Sequence, residues 1–436
     1  MKFLLPVLIL LAFIFTAHPQ TAVTNDAAVT EFDVNGLKVI FKRRVGSATV
    51  SAGMFVRGGV RNQTAQNAGI ENLTLAAAAE ASKKYPRETL RKELARTGTV
   101  IGSGASFDFG AISMTSTLQN FARSWDAFTD VIINPTFAAD DVDRVRNVVL
   151  AGLRNETASA DSALGSLEEK VVYAGHPYAN GPSGTIDTVT KLTPADLGAY
   201  HKKLLQTSRL LLVIVGNSDP GEIKKIVTAA FSGLPRGDYK DASLPPLAFS
   251  QASLDITPRT LTTNYVKGIF AAPSLASPDY YAMRVAMAIL QSRVYLEVRT
   301  KRNLSYAPNA EMGNKVANSA NIYVTAVDAN QAVRVMLGEI DNMRKHEIDA
   351  DEFAGVPGYF LTTYYVDQET NAAQAAELAR YELIGGGWRN SIKFLDGIRN
   401  VKPSDVFAVS VKYMKNLRFV VIGDSNAIDR SIFLRN

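Results

Sequence analysis

The chain contains a partial copy of itself, and this limits its possible folds more than any other feature. Residues 193–219, TPADLGAYHKKLLQTSRLLLVIVGNSD, are echoed by residues 402–426, KPSDVFAVSVKYMKNLRFVVIGDSN. Residues 137–142, FAADDV, are echoed by residues 348–353, IDADEF. Pro194 and Pro403 are 209 positions apart, and Phe137 and Ile348 are 211 apart. Two echoes at nearly one offset argue for a duplicated unit of about 210 residues. A chain of 436 residues is also too long for one hydrophobic core.

Each copy ends in a unit whose physics is readable. Pro194 and Pro403 suit the first turn of a helix, where the N–H that proline lacks would be unpaired anyway. An amphipathic helix follows, then a continuous apolar run, LLLVIVG or RFVVIG, that predicts a strand buried on both faces and closed by glycine. Further strands are expected over residues 51–56, 110–117 and 321–327, alternating with helices of ten to twenty residues. This mixture predicts an α+β fold of two homologous domains, each a largely antiparallel sheet with helices on one face. Residues 232–251, SGLPRGDYKDASLPPLAFSQ, are rich in Pro, Gly and charge and read as the connection. The expected division is 29–238, a linker over 239–251, and 252–436.

The first residues, MKFLLPVLILLAFIFTAHPQTA, carry Lys2 and then an apolar run over 3–16. That run is short for a bilayer span and has the proportions of a signal-peptide core, with cleavage expected between residues 17 and 28. An uncleaved anchor is the alternative. The first reading makes residues 1–28 a leader and the mature protein exported, to the periplasm in a bacterium, without stable membrane insertion. The sequence has no cysteine, so export proceeds without disulfides, and thiolate metal sites are excluded. A net charge of +5, spread without a basic block, is a poor fit to nucleic-acid binding.

Several short motifs give these features a family context. FVRGGVRNQ (55–63), GHPYANGPSGT (175–185), VIVGNSD (213–219) and RTKRNLSY (299–306) make the chain resemble the M16 metallopeptidases, the pitrilysin and mitochondrial processing peptidase family. The short, exported bacterial branch is the nearest in kind, and the resemblance runs from Val29 to the C-terminus. It implies two halves facing each other as a clamshell around an internal chamber.

In that family the first helix carries H-x-x-E-H. Two imidazoles one turn apart share a zinc ion, and the glutamate between them acts as general base on the zinc-bound water. Aligned on this pattern, NAGIENLTLAAAAEA (67–81) places Asn72 at the first histidine, Leu75 at the general base and Ala76 at the second histidine. The distal glutamate ligand falls near Gly152, with Glu156 the nearest carboxylate. Asn is a poor zinc ligand, and Leu and Ala bind no metal. No change of register restores the site, because no histidine lies between His18 and His176. The alanine run at 76–79 is itself a good helix former, so the segment is expected to persist as a packing helix.

A second family motif is retained. LEVRTKRNLSYAP (296–308) resembles the C-terminal segment from which an Arg and a Tyr reach toward the scissile peptide, and Arg299 and Tyr306 stand at the matching positions, seven apart. A guanidinium offers paired donors to a carbonyl, and a phenol can stabilise the oxyanion formed when water attacks it. Asn303 stands where glycine is common, and Asn tolerates the left-handed backbone of such a turn. The plain alternative is an Arg capping a helix end and a Tyr packed half-buried.

Other candidates are weaker. Gly385, Gly386 and Gly387 lack a P-loop pattern and read as a turn after a helix. His176 reads as a loop residue and His201 as a partly exposed helical one. Lys301 and Arg302 flank Arg299 and read as a solvated pair. No Ser-His-Asp or Cys-His set is legible. The resemblance therefore implies a non-catalytic, substrate-binding subunit of a heterodimeric peptidase. It would hold no cofactor itself; a homologous partner with intact H-x-x-E-H would hold the zinc, and a peptide would be the substrate. A peptide-binding or structural scaffold is the alternative.

Overall fold

A computed structural model describes residues 28–156 and 158–435; the leader reading lies outside the described residues. The first half builds a six-stranded sheet from β1 (Val29–Val34), β2 (Leu37–Arg43), β3 (Thr49–Arg57), β4 (Val100–Ala105), β5 (Phe109–Thr117) and β6 (Leu210–Gly216), in the order β1-β2-β6-β3-β5-β4. The second half builds a five-stranded sheet from β7 (Ser253–Pro258), β8 (Asn264–Ala271), β9 (Asn309–Met312), β10 (Ser319–Ala326) and β11 (Arg418–Gly423), in the order β7-β11-β8-β10-β9. Apart from β1, the two orders correspond strand for strand. In each sheet one pair is parallel, β2 with β6 and β7 with β11, and every other pair is antiparallel. The fold is α+β, and the duplication seen in the sequence is a duplication of topology.

The repeated helix–strand unit folds alike in both copies. Pro194 and Pro403 each open a helix, Pro194–Leu204 and Pro403–Tyr413. Asp196 and Asp405, three residues beyond the cap, accept the N–H of Thr193 and of Lys402, each at 2.9 Å. The strands that follow are buried almost throughout.

Both faces of these strands are covered, each from a different half. In β6, Leu210, Leu212 and Ile214 join the first half's own core with Phe128 and Phe231. Leu211, Val213 and Val215 point the other way, with Ile40 and Phe55, against Ala375, Leu378, Ala379 and Trp388 of the second half. In β11, Phe419 and Val421 join the second half's core, while Val420 and Ile422 meet Ala163, Leu164 and Val172 of the first. The helix Ala160–Val172 thus lies on β11 and β8, and the helix Asn371–Ile384 lies on β6 and β3. Helices do pack on one face of each sheet as expected, and a helix lent by the other half covers the opposite face.

Polar ties fasten this exchange. Lys38 pairs with Glu382 at 2.7 Å, Lys267 with Glu168 at 2.8 Å, and Asn371 donates to the Thr49 carbonyl at 2.7 Å. Residues 235–249 run between the halves without helix or strand. Tyr239 nevertheless bonds Asn62 at 3.1 Å, and Leu244, Leu247 and Phe249 pack at the seam.

Candidate functional site

The helix Ile70–Ala78 starts at Gly69, whose φ of 88° is left-handed. A side chain there would strike the Ser183 carbonyl at 2.7 Å, so glycine lets the helix seat against the 175–185 loop. Leu73, Leu75, Ala77 and Ala78 are buried, whereas Asn72 and Ala76, one turn apart, are partly exposed on one face. The helix packs against β4, the Pro194–Leu204 helix and the Ala139–Asn155 helix. Gly152 is exposed near the end of the last of these, and Glu156 caps it.

The two helices that carry the positions expected for a metal site therefore pack together. Asn72 and Ala76, expected at paired-ligand positions, share the partly exposed face, Leu75 is packed inward, and Gly152 has no side-chain donor. Of the four aligned positions only Asn72 carries a donor, and with Glu156 beside it the set is too small and too weak for a tetrahedral zinc. Among the described residues no group of three or more His, Cys, Asp or Glu is placed to hold a metal. Zinc does not fit these residues.

The same helix carries a charge that sequence reasoning missed. Glu71 is fully buried; it accepts the Tyr200 hydroxyl at 2.9 Å and faces the Arg209 guanidinium at 3.3 Å. Burial pushes its carboxyl up to about 7, although Arg209 and Tyr200 pull it back. Arg209 is buried too, donates to the Arg57 carbonyl at 3.1 Å and lies 4.7 Å from the Tyr239 ring. The network ties the emptied helix to the core strand β6 and to the connecting segment. The available signal was a lone Glu in an apolar helix and an Arg abutting LLLVIVG.

Arg299 and Tyr306 are brought together. The helix Tyr280–Val294 runs into a π-helical turn, Tyr295–Thr300, which presents Arg299. Asn303 is left-handed at φ 50° and donates its N–H to the Arg299 carbonyl at 3.1 Å, folding the chain back. The Tyr306 ring returns to within 3.9 Å of the Arg299 guanidinium carbon, with Tyr295 on it at 4.9 Å. Tyr306 is 79% exposed, so it is not packed half-buried. Lys301 and Arg302 do not share this arrangement, because both pair with Glu297.

The remaining candidates resolve simply. Gly385–387 forms the turn after the Asn371–Ile384 helix, with Gly386 and Gly387 at positive φ. His176 bonds the Pro245 carbonyl at 3.0 Å and pins the connecting segment. His201 corrects the expectation of partial exposure: it is buried, bonds the Ile132 carbonyl at 2.8 Å, and burial lowers its pKa. It faces inward because the Pro194–Leu204 helix packs that side against the core. Among the described residues no hydrogen bond, ion pair or ring contact joins Arg299 or Tyr306 to Asn72, Ala76 or Gly152. The pair sits on the second half's framework and the emptied helix on the first's.

Known proteins place this arrangement in context. A family model described as "Insulinase (Peptidase family M16)" matches residues 38–180, and one described as "Peptidase M16 inactive domain" matches residues 191–356. Subunit 1 of the mitochondrial cytochrome b-c1 complex of Bos taurus is 23% identical over 268 residues, 61% of this chain and 55% of that protein. The chain thus aligns with about half the length of this curated relative. The crystal structure of a peptidase M16 inactive domain from Pseudomonas fluorescens superposes with a TM-score of 0.84 at 20% identity, covering 91% of this chain and 98% of that one. The periplasmic protease PqqL of Escherichia coli superposes with a TM-score of 0.78 at 16% identity, covering 94% of this chain and 50% of that one. The chain belongs to the M16 peptidase family.

Proposed function

We propose that this chain is a non-catalytic, substrate-binding subunit of a heterodimeric zinc peptidase, supplying Arg299 and Tyr306 to the zinc site of a homologous partner. The observation that carries the proposal is the outward display of the pair. Tyr306 is 79% exposed against an Arg299 for which no ion pair appears among the described residues. A stack with so exposed a ring adds little to folding, about 0.5–1 kcal/mol, yet it leaves the phenol turned toward solvent beside a half-buried guanidinium.

The two groups suit one task. Arg299, clasped by Tyr295 and Tyr306, offers donors to a substrate carbonyl, and the Tyr306 hydroxyl is free to donate to a developing oxyanion. The zinc-bound water and general base come from the partner, which carries an intact H-x-x-E-H. The match to half the length of PqqL, described as a periplasmic protease, supports one half of a larger assembly working outside the cytoplasm. Peptide is the substrate, and the leader at residues 1–28 directs export.

A second reading, a peptide-binding or structural scaffold, is favoured by the likeness to subunit 1 of the mitochondrial cytochrome b-c1 complex. Reconstitution separates the two. Mixing this chain with an H-x-x-E-H homologue encoded beside it should give peptide hydrolysis that neither chain gives alone. A homologue fully active by itself, unchanged by this chain, would favour the scaffold.

A further inference from the structure

A cavity of about 490 Å³ opens at the seam, within the size range of small-ligand sites. Its walls come from the helices Tyr280–Val294, Val356–Asp367 and Asn371–Ile384 of the second half, with Phe109 of β5 from the first. The first two helices follow β8 and β10 in the order in which the Ile70–Ala78 and Ala139–Asn155 helices follow β3 and β5. Two of the cavity's wall helices thus correspond in chain order to the two helices that carry Asn72, Ala76 and Gly152 in the first half.

Its charge is unbalanced at one point. Four charged residues line it: Arg284, Asp367, Glu377 and Arg380. Arg380 is paired with Glu377, one turn away on the same helix, and Asp367 is exposed at the rim. Arg284 has no carboxylate partner among the described residues. Its Nε is buried without a hydrogen bond, and its guanidinium carbon stands 5.9 Å from the Phe360 ring centre. Both guanidiniums oppose the effect of burial on the Tyr280 and Tyr381 phenols, so the positive field reaches the cavity wall. Around them six aromatic rings line the wall, with Phe109, Tyr364 and Phe394 joining Tyr280, Phe360 and Tyr381. An unpartnered, half-desolvated guanidinium is costly unless an anion meets it. One such Arg beside aromatic walls suits a monoanion on an apolar body, whereas a phosphate dianion calls for more donors.

We infer that this cavity captures the C-terminal carboxylate of a peptide, with Arg284 as the anchor and the aromatic walls receiving the terminal side chain. The inference stands apart from Arg299 and Tyr306, and its test reads binding rather than hydrolysis.

The test is calorimetric titration of the purified chain with N-acetyl-Ala-Ala-Phe as the free acid and as the C-terminal amide, and with N-acetylphenylalanine. The acid should bind about tenfold or more tightly than the amide, the value of a charge-assisted bond. Arg284→Met should erase that preference and Arg284→Lys should keep part of it. Asp367→Asn, at the exposed rim, should tighten acid binding by about two- to threefold. Equal binding of acid and amide, no binding of either, or a preference that survives Arg284→Met would overturn the inference. N-acetylphenylalanine binding as tightly as the tripeptide would overturn the peptide assignment in favour of a small carboxylic acid.

Discussion

Trp388 and Glu31 are 357 positions apart, and the indole N–H of one donates to the carboxylate of the other at 2.6 Å. This bond, aided by Lys38 and Arg389, holds the Glu31 carboxyl below its usual range. Trp388 is itself 1% exposed and fills the layer between the first sheet and the helix that the second half lays on it. The link is reciprocal, because the first half lends the Ala160–Val172 helix in return.

The exchange makes the halves interdependent. Expressed alone, residues 29–238 would expose Ile40, Phe55, Leu211, Val213 and Val215 on the outer face of a sheet. The fragment should aggregate or bind a hydrophobic dye, while the whole chain should unfold in a single denaturant transition. Trp388→Ala should cost about 3–5 kcal/mol, as removal of a large core aromatic does. A soluble, dye-silent fragment with a cooperative melt would contradict this account.

The buried Glu71 should make stability depend on pH. Its folded carboxyl is raised to about 7 from an ordinary value of 4.5, so between these pH values the folded state keeps a proton that the unfolded state has lost. Stability therefore falls as pH rises through that window, by at most about 3 kcal/mol from this group. Glu71→Gln, neutral throughout, should flatten the slope. Thermal melts of both proteins at pH 5 and pH 8 check it; equal pH dependence would remove Glu71 as the cause.

Much of this was legible from residues whose environments are set by short-range rules. The continuous apolar run of β6 announced a strand buried on both sides, proline fixed the two helix starts, and Asn303 was suited to the left-handed turn it makes. Which helices would cover the second faces was not legible. The apolar stripe of residues 371–384 does not specify a sheet some 160 residues upstream rather than its own. Of the site, the turn that brings Tyr306 back to Arg299 was legible in the Asn303 signal. The Glu71–Arg209 contact was hidden because the two charges lie 138 positions apart and neither segment shows that its charge faces inward, and His201 was misplaced because one polar residue on a helix does not reveal its face.

Absence of zinc is directly measurable. The chain purified without a chelator should hold far less than one zinc per molecule by elemental analysis, and added zinc should not raise its melting temperature, because a ligand that binds only the folded state stabilises it. Stoichiometric metal that survives dialysis would contradict the assignment of Asn72, Leu75, Ala76 and Gly152 as empty positions.

The central claim is that Tyr306 acts on a substrate held in a partner's site. The most direct measurement is kcat for peptide hydrolysis by the reconstituted pair with this chain as wild type, Tyr306→Phe and Arg299→Ala. The Phe ring keeps the stack on Arg299, so Tyr306→Phe isolates the hydroxyl. Loss of one oxyanion donor should lower kcat by about a hundredfold, near 3 kcal/mol, with the complex still formed and this chain's melting temperature unchanged. A reconstituted pair in which both variants keep near-wild-type kcat would contradict the account and leave the chain a scaffold.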